Sequence, residues 1–200
     1  LAGHLRAQYA VALVDEFQDT DSRQWMIFQR VFGARALLLI GDPKQAIYRF
    51  RGGDVHTYLA AAGEAAPAPL LDHNFRSRPA LLRAVQALYE VAGPEAFVDP
   101  RIRFQHVQAG GRVADADFLR DGRSAPALTL RVLPSSDEGK PWSSPKSRLH
   151  ARTLCTEAIP ALLRAGRDGR ASVDGSTVPP GDIAVLALPP SEAPWMQASL

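Results

Sequence analysis

Cysteine is nearly absent from the 200-residue chain: Cys155 stands alone, so no disulfide forms within it, as suits a protein of the reducing cytoplasm. No apolar run approaches the roughly 20 residues needed to cross a bilayer. The N-terminus lacks the charged, apolar and small-residue order of a signal peptide. An excess of one charge is missing too: 23 Lys and Arg face 21 Asp and Glu, a net charge of +2. Bulk charge that small does not argue for a polyanionic partner, so any such contact must come from local placement of Arg and Lys. His4, His56, His73, His106 and His150 show no metal-ligand spacing. The phosphate-binding pattern G-x-x-x-x-G-K-[ST] occurs nowhere. The chain begins with Leu1 rather than Met and reads as an internal piece of a longer protein.

What remains is an ordinary globular composition, 46% hydrophobic and 22% charged. The length allows one or two domains with a core of normal size.

Val11 to Val14 form a short apolar run that ends abruptly in Asp15-Glu16, and Leu37 to Ile40 form a second that ends in Gly41-Asp42-Pro43. Such runs predict strands buried on both faces of a parallel sheet. Between them, Asp19 to Ser22 offer capping side chains, Trp25, Phe28 and Phe32 fall at helical spacing, and Gly33 stops the helix. Strand, helix, strand makes a βαβ unit, and in such sheets ligands bind at the carboxyl ends of the strands. Both polar motifs fall there.

Farther along, residues 60–69 read as an Ala- and Pro-rich connector. A third short element, Pro69 to Leu71, leads into Asp72 to Pro79. Pro79 sits in the first turn of a helix whose buried face is Leu81, Leu82, Val85, Leu88 and Tyr89, ended by Gly93. Alternation over Leu128, Leu130 and Val132 predicts a half-buried strand. Residues 134–147 predict a mobile loop. A helix over Leu149 to Arg164 should kink or split at Pro160. Residues 168–182 read as loop, and Ile183 to Leu188 as a last buried strand.

Adjacent carboxylates at the end of a buried strand are costly unless they bind something. In P-loop motors a strand-end Asp holds Mg²⁺, and a neighbouring carboxylate can orient and deprotonate the attacking water. The plain alternative is a pair that caps the next helix.

The longer strings narrow the choice. Val14-Asp15-Glu16-Phe17-Gln18-Asp19-Thr20-Asp21 resembles the Walker B segment of UvrD-like superfamily 1 helicases. Ile40-Gly41-Asp42-Pro43-Lys44-Gln45-Ala46-Ile47-Tyr48-Arg49-Phe50-Arg51-Gly52-Gly53-Asp54 resembles their third motif, and Asn74-Phe75-Arg76-Ser77 their fourth. The wording is that of the RecB branch, the exodeoxyribonuclease V beta subunit type, and is close over residues 5–90. Gly53 departs from that branch, which usually has Ala there, and Leu188-Pro189-Pro190 replaces a polar continuation of its later strand.

The resemblance implies an α/β fold of RecA-like P-loop motor type in two incomplete domains. Residues 1–70 would finish the first and residues 71–200 begin the second. It implies ATP and Mg²⁺ as cofactors, single- and double-stranded DNA as substrate, and RecC- and RecD-type subunits as partners. By position, Asp15 would bind Mg²⁺ and Glu16 would be the general base. Gln45 would sense the ATP gamma-phosphate, and Arg76 would be the arginine finger. Tyr48, Phe50 and Arg51 would face single-stranded DNA.

Plainer roles stand beside these. Gln45 could close its own loop, Arg76 could pair with Asp72, Tyr48 or Phe50 could pack in a core, and Lys44 and Arg49 read as solvated. Two other identities also stand: a UvrD-like repair helicase without a nuclease domain, and a non-catalytic remnant that binds DNA or partner subunits.

Lacking the phosphate loop, the 200-residue chain by itself is expected not to hydrolyse ATP. Steady-state phosphate release above that of its Glu16→Ala variant would contradict this.

Overall fold

The computed structural model describes residues 1–33, 36–47, 53–66, 68–97, 99–111, 117–133, 135, 139–186 and 193–199. Their packing divides into two compact units, Leu1–Leu71 with Tyr89–His106, and Asp72–Leu88 with Val107–Leu200.

The first unit is built on two parallel strands, β1 (Val11–Val14) and β2 (Ala36–Leu39), in register from Val11 opposite Ala36 to Val14 opposite Leu39. The ladder continues past both strands. The Ile40 amide donates to the Val14 carbonyl at 2.9 Å, and the Phe17 amide to the Ile40 carbonyl at 2.9 Å. Helices α1 (Ala2–Gln8), α2 (Ser22–Phe32) and α3 (Val55–Glu64) complete the unit. Single 3₁₀ turns follow β1 at Phe17–Asp19 and β2 at Pro43–Gln45, and α3 packs against both.

Local chemistry explains the helix bounds. Asp21 closes a capping box on α2: its carboxylate accepts from the Arg23 and Gln24 amides, each at 2.8 Å, while the Gln24 side chain accepts from the Asp21 amide at 3.1 Å. At the other end Arg6 of α1 donates to the carbonyls of Val31, at 2.7 Å, and Arg30 in the last turn. Trp25, Phe28 and Phe32 form the half-buried face of α2, as their spacing predicts, while Met26 and Ile27 are exposed.

Three expectations for this unit need correction. The strands are not buried on both faces. Alternate residues stand open, Val11 at 51% and Leu13 at 62% exposure, because within this unit only one face of the two-stranded ladder is covered. A short apolar run cannot report that difference. Residues 60–69 are not all connector. The Ala-rich sequence extends α3 to Glu64, as Ala propensity favours. Asp54 caps the helix through the His56 amide and the Thr57 hydroxyl, both at 3.0 Å, and Ala61 is fully buried. Leu70 and Leu71 form no element and are exposed. The next strand is β3 (His73–Asn74), which pairs in parallel with β4 (Gln108–Ala109) in the second unit.

Helix α4 (Pro79–Ala92) begins at Pro79 and gives way at Gly93, whose φ of +61° suits glycine. Leu82 is buried and Leu81, Val85 and Tyr89 half-buried, but Leu88 is exposed. In the first unit Tyr89 stacks on Phe104 and Phe97, with ring centroids 4.5 and 5.3 Å apart.

The second unit holds a three-stranded antiparallel sheet of β5 (Phe118–Arg120), β6 (Arg123–Ser124) and β7 (Ala171–Val173), in the order β6-β5-β7. Asp121-Gly122, with φ of +51° and +72°, joins β5 to β6 as the two-residue hairpin turn such a pair favours. Helix α5 (Ser144–Arg167) begins inside the expected loop and runs unbroken through Pro160. An Ala- and Leu-rich turn, Ala161 to Leu163, follows that proline, and the last turn is anchored by buried Ala165 and Gly166. Helix α6 (Ala193–Ser199) packs on α5.

Strand β7 and a 3₁₀ turn at Pro180–Asp182 occupy the expected loop 168–182. Neither Leu128 to Val132 nor residues 183–186 form a strand, and Val132 and Leu186 are about nine-tenths exposed or more. Strand propensity needs a partner strand, and none lies beside either segment among the described residues. Residues 187 and 188 lie outside the described set.

Asp21→Ala should remove about 1 kcal/mol of capping stabilisation. Amide exchange at Arg23 and Gln24 is expected to accelerate about fivefold, with Asp21→Asn close to wild type. Unchanged exchange in the first turn of α2 would refute the capping assignment.

Candidate functional site

The chain turns sharply where β1 ends. Glu16 adopts the left-handed conformation, with φ of 50° and ψ of 41°, which costs a non-glycine residue about 1–2 kcal/mol. The following 3₁₀ turn compensates: the Asp19 amide donates to the Glu16 carbonyl at 2.9 Å and the Thr20 amide to the Phe17 carbonyl at 3.0 Å. Asp15 contributes by accepting the Glu16 amide on its carboxylate at 2.9 Å. The turn leaves Asp15 and Glu16 exposed and sends Phe17 inward. There Phe17 meets Trp25 edge-on, with centroids 5.2 Å apart, and Tyr58 at 5.9 Å.

Next to Phe17, Gln18 is 2% exposed. Its Nε2 donates to Glu16 Oε2 at 2.6 Å, and its Oε1 accepts the Asp42 amide at 2.9 Å. One side chain thus joins the loop after β1 to the loop after β2. Glycine is required at position 41 for this: a Cβ there would lie 2.7 Å from Gln18 Oε1 and 3.1 Å from the backbone nitrogens of Phe17 and Gln18.

Asp42 organises the second loop. Its carboxylate accepts from the Lys44 amide at 3.0 Å and from Gln45 Nε2 at 3.1 Å, and pairs with Lys44 Nζ at 2.7 Å. Partial burial would raise its pKa, but the hydrogen bonds from Lys44 and Gln45 and the Lys44 charge outweigh burial and hold it below the usual carboxylate value. Burial, with Asp42 nearby, pushes the Tyr58 phenol up, and that hydroxyl donates to the Gly41 carbonyl at 3.2 Å.

Together Glu16, Gln18, Asp19, Lys44, Gln45 and Ile47 line an open cleft of about 550 Å³ at the strand ends. One carboxylate oxygen of Asp19, Oδ1, is buried without a hydrogen-bond partner among the described residues. No cluster of three or more acidic, His or Cys side chains could hold a metal among those residues. One or two carboxylates suffice for Mg²⁺, which keeps water and takes its other ligands from phosphates. An exposed strand-end carboxylate such as Asp15 therefore fits a phosphate-bound Mg²⁺, and the described residues do not form an all-protein cage.

Of the residues singled out by sequence, the first unit brings Glu16 and Gln45 to one cleft, with Asp15 beside Glu16. Gln45 is engaged with Asp42, within its own loop. Arg76 belongs to the second unit. It is exposed, on a turn made by Asn74 Oδ1 accepting the Arg76 and Ser77 amides at 2.9 and 2.6 Å. Asp72 pairs with His73 at 2.7 Å rather than with Arg76. Tyr48, Phe50 and Arg51 lie outside the described residues. From sequence alone Gln18 has no role, Asp19 reads only as a cap, Asp42 stands at a strand end without an assigned role, and Lys44 reads as solvated. The one available signal was Gly41, a residue without a side chain between a strand and an acid.

Residues 1–66 match the UvrD/REP helicase N-terminal domain. Along its whole length the chain is 35% identical to the RecBCD enzyme subunit RecB of Escherichia coli K12, spanning 17% of that protein. The RecB subunit of Haemophilus influenzae is 34% identical over the whole chain, which covers 16% of that protein. That of Mycobacterium tuberculosis (strain CDC 1551 / Oshkosh) is 40% identical over 91% of the chain, again 16% of the relative. The chain thus spans about a sixth of these curated relatives. With its first third matched to the helicase domain and its full length aligned to RecB subunits, the chain is a segment of a UvrD-like helicase of the RecB type.

Proposed function

We propose that the strand-end cleft is the hydrolytic half of an ATP-driven DNA motor, in a RecBCD-type subunit that unwinds DNA at double-strand breaks for recombinational repair. The observation that supports this reading is the parallel register of β1 and β2, beyond whose ends Glu16, Lys44 and Gln45 line one cleft. Residues 1–70 would then finish one RecA-like motor domain and residues 71–200 begin a second. RecC- and RecD-type subunits and DNA would be the partners.

In this reading Asp15 holds Mg²⁺, which when bound neutralises the charge of the terminal phosphates. Glu16, fixed in its turn, takes a proton from the attacking water. Gln45 exchanges Asp42 for the gamma-phosphate, so the loop reports whether that phosphate is present. Arg76 serves as the arginine finger and stabilises charge spreading over the phosphoryl oxygens. Only two residues, Ala46 and Ile47, separate Gln45 from Tyr48. With Phe50 and Arg51, Tyr48 would meet single-stranded DNA by stacking, which tolerates any sequence.

Mutation of the full-length protein that carries this segment provides the test. Glu16→Gln should keep nucleotide binding and lower turnover about 10²–10⁴-fold. Arg76→Ala should do the same by up to about 10³–10⁵-fold. Near-normal turnover in Glu16→Gln would remove it as the base. A collapse of ATP affinity with turnover intact in Arg76→Ala would make it a ground-state binding residue.

A further inference from the structure

The geometry points to Gln18 as a positioning residue that holds the Glu16 carboxylate in place and ties it to the nucleotide-sensing loop after β2. This rests on the reading of Glu16 as the general base.

Gln18 has one acceptor and one donor end, and its surroundings determine which is which. Facing Oε1 is a backbone N–H, that of Asp42, which can only donate. Facing Nε2 is the Glu16 carboxylate, which as an anion can only accept. Turned over, the amide would oppose like with like at both ends. The side chain is 2% exposed, so water cannot readily replace either bond. Gly41 holds the acceptor end in place, since any side chain there would press on Oε1.

The consequence reaches both loops. Glu16 is exposed and sits in a left-handed turn, so its carboxylate needs an external tether to keep a single rotamer. Gln18 supplies one at 2.6 Å. The same amide holds Asp42, whose carboxylate in turn holds Lys44 and Gln45. A shift of Gln45 toward a phosphate therefore reaches Glu16 through two side chains, Asp42 and Gln18, with no need for the strands to move.

The alternative is a strut that only closes the two loops, and Gln18→Glu separates the two roles. It keeps the shape and the acceptor for Asp42, loses the donor, and sets a carboxylate against Glu16. In the full-length protein, Gln18→Glu is expected to lower kcat for ATP about 10–100-fold, the loss of one hydrogen bond to a charged group. KM should stay within about threefold, because ground-state binding is untouched. Gly41→Ala, which crowds Oε1 without changing Gln18, should give the same split. In a Glu16→Ala background, Gln18→Leu should cost no further turnover, because the group it positions is gone. Unchanged kcat in Gln18→Glu would overturn the proposal. Equal losses from Gln18→Leu with and without Glu16, together with a fall in melting temperature, would also overturn it and make Gln18 a strut. Intact turnover in Glu16→Ala alone would overturn the base assignment itself and this proposal with it.

Discussion

The parallel register of β1 and β2 is the constraint from which the rest of the site follows. Val14 opposes Leu39, and two further hydrogen bonds, Ile40 to Val14 and Phe17 to Ile40, carry the ladder beyond the strands. Because the pairing continues to Phe17, the acidic pair has nowhere to go but out of the ladder, and Glu16 takes the left-handed turn that makes this possible. Because it continues to Ile40, Gly41 arrives directly beneath Gln18. A slip of one residue would reverse the facing of every side chain in the strand and separate the two loops.

That arrangement concentrates negative charge. Asp15, Glu16, Asp19 and Asp42 gather at the strand ends, and Lys44 neutralises only Asp42. Asp42 is thereby occupied and its proton affinity lowered. Asp15 and Glu16 remain exposed, and one buried oxygen of Asp19 has no partner among the described residues. A divalent cation with a polyphosphate would relieve this imbalance.

Much of the first unit was legible in the sequence, since β1, α2 and β2 each carry their own signal: an apolar run, a cap, a helical stripe and a stopping glycine. The acidic pair was legible because carboxylates at a strand end need a reason. Gln18 was not, because its role depends on a neighbour 24 residues away that only the register supplies. Exposure of the ladder's second face was equally hidden, because it depends on what packs there and not on the strand. In the second unit the errors share one cause. Residues 128–132 and 183–186 have strand-like patterns without a partner strand, whereas β5 and β7 find each other across 50 residues. Pro160 stayed within α5 because a turn of good helix formers, Ala161 to Leu163, follows it and the end of the helix is buried.

The central claim is that this cleft receives the terminal phosphate of ATP. The most direct measurement is a structure of the full-length protein with Mg²⁺ and an ADP–aluminium fluoride complex. The account predicts the metal beside Asp15, the fluoride group within hydrogen-bond reach of Gln45, and Glu16 facing the position of the attacking water with Gln18 still bonded to it. A nucleotide bound away from the ends of β1 and β2, with Gln45 still closed on Asp42, would contradict it.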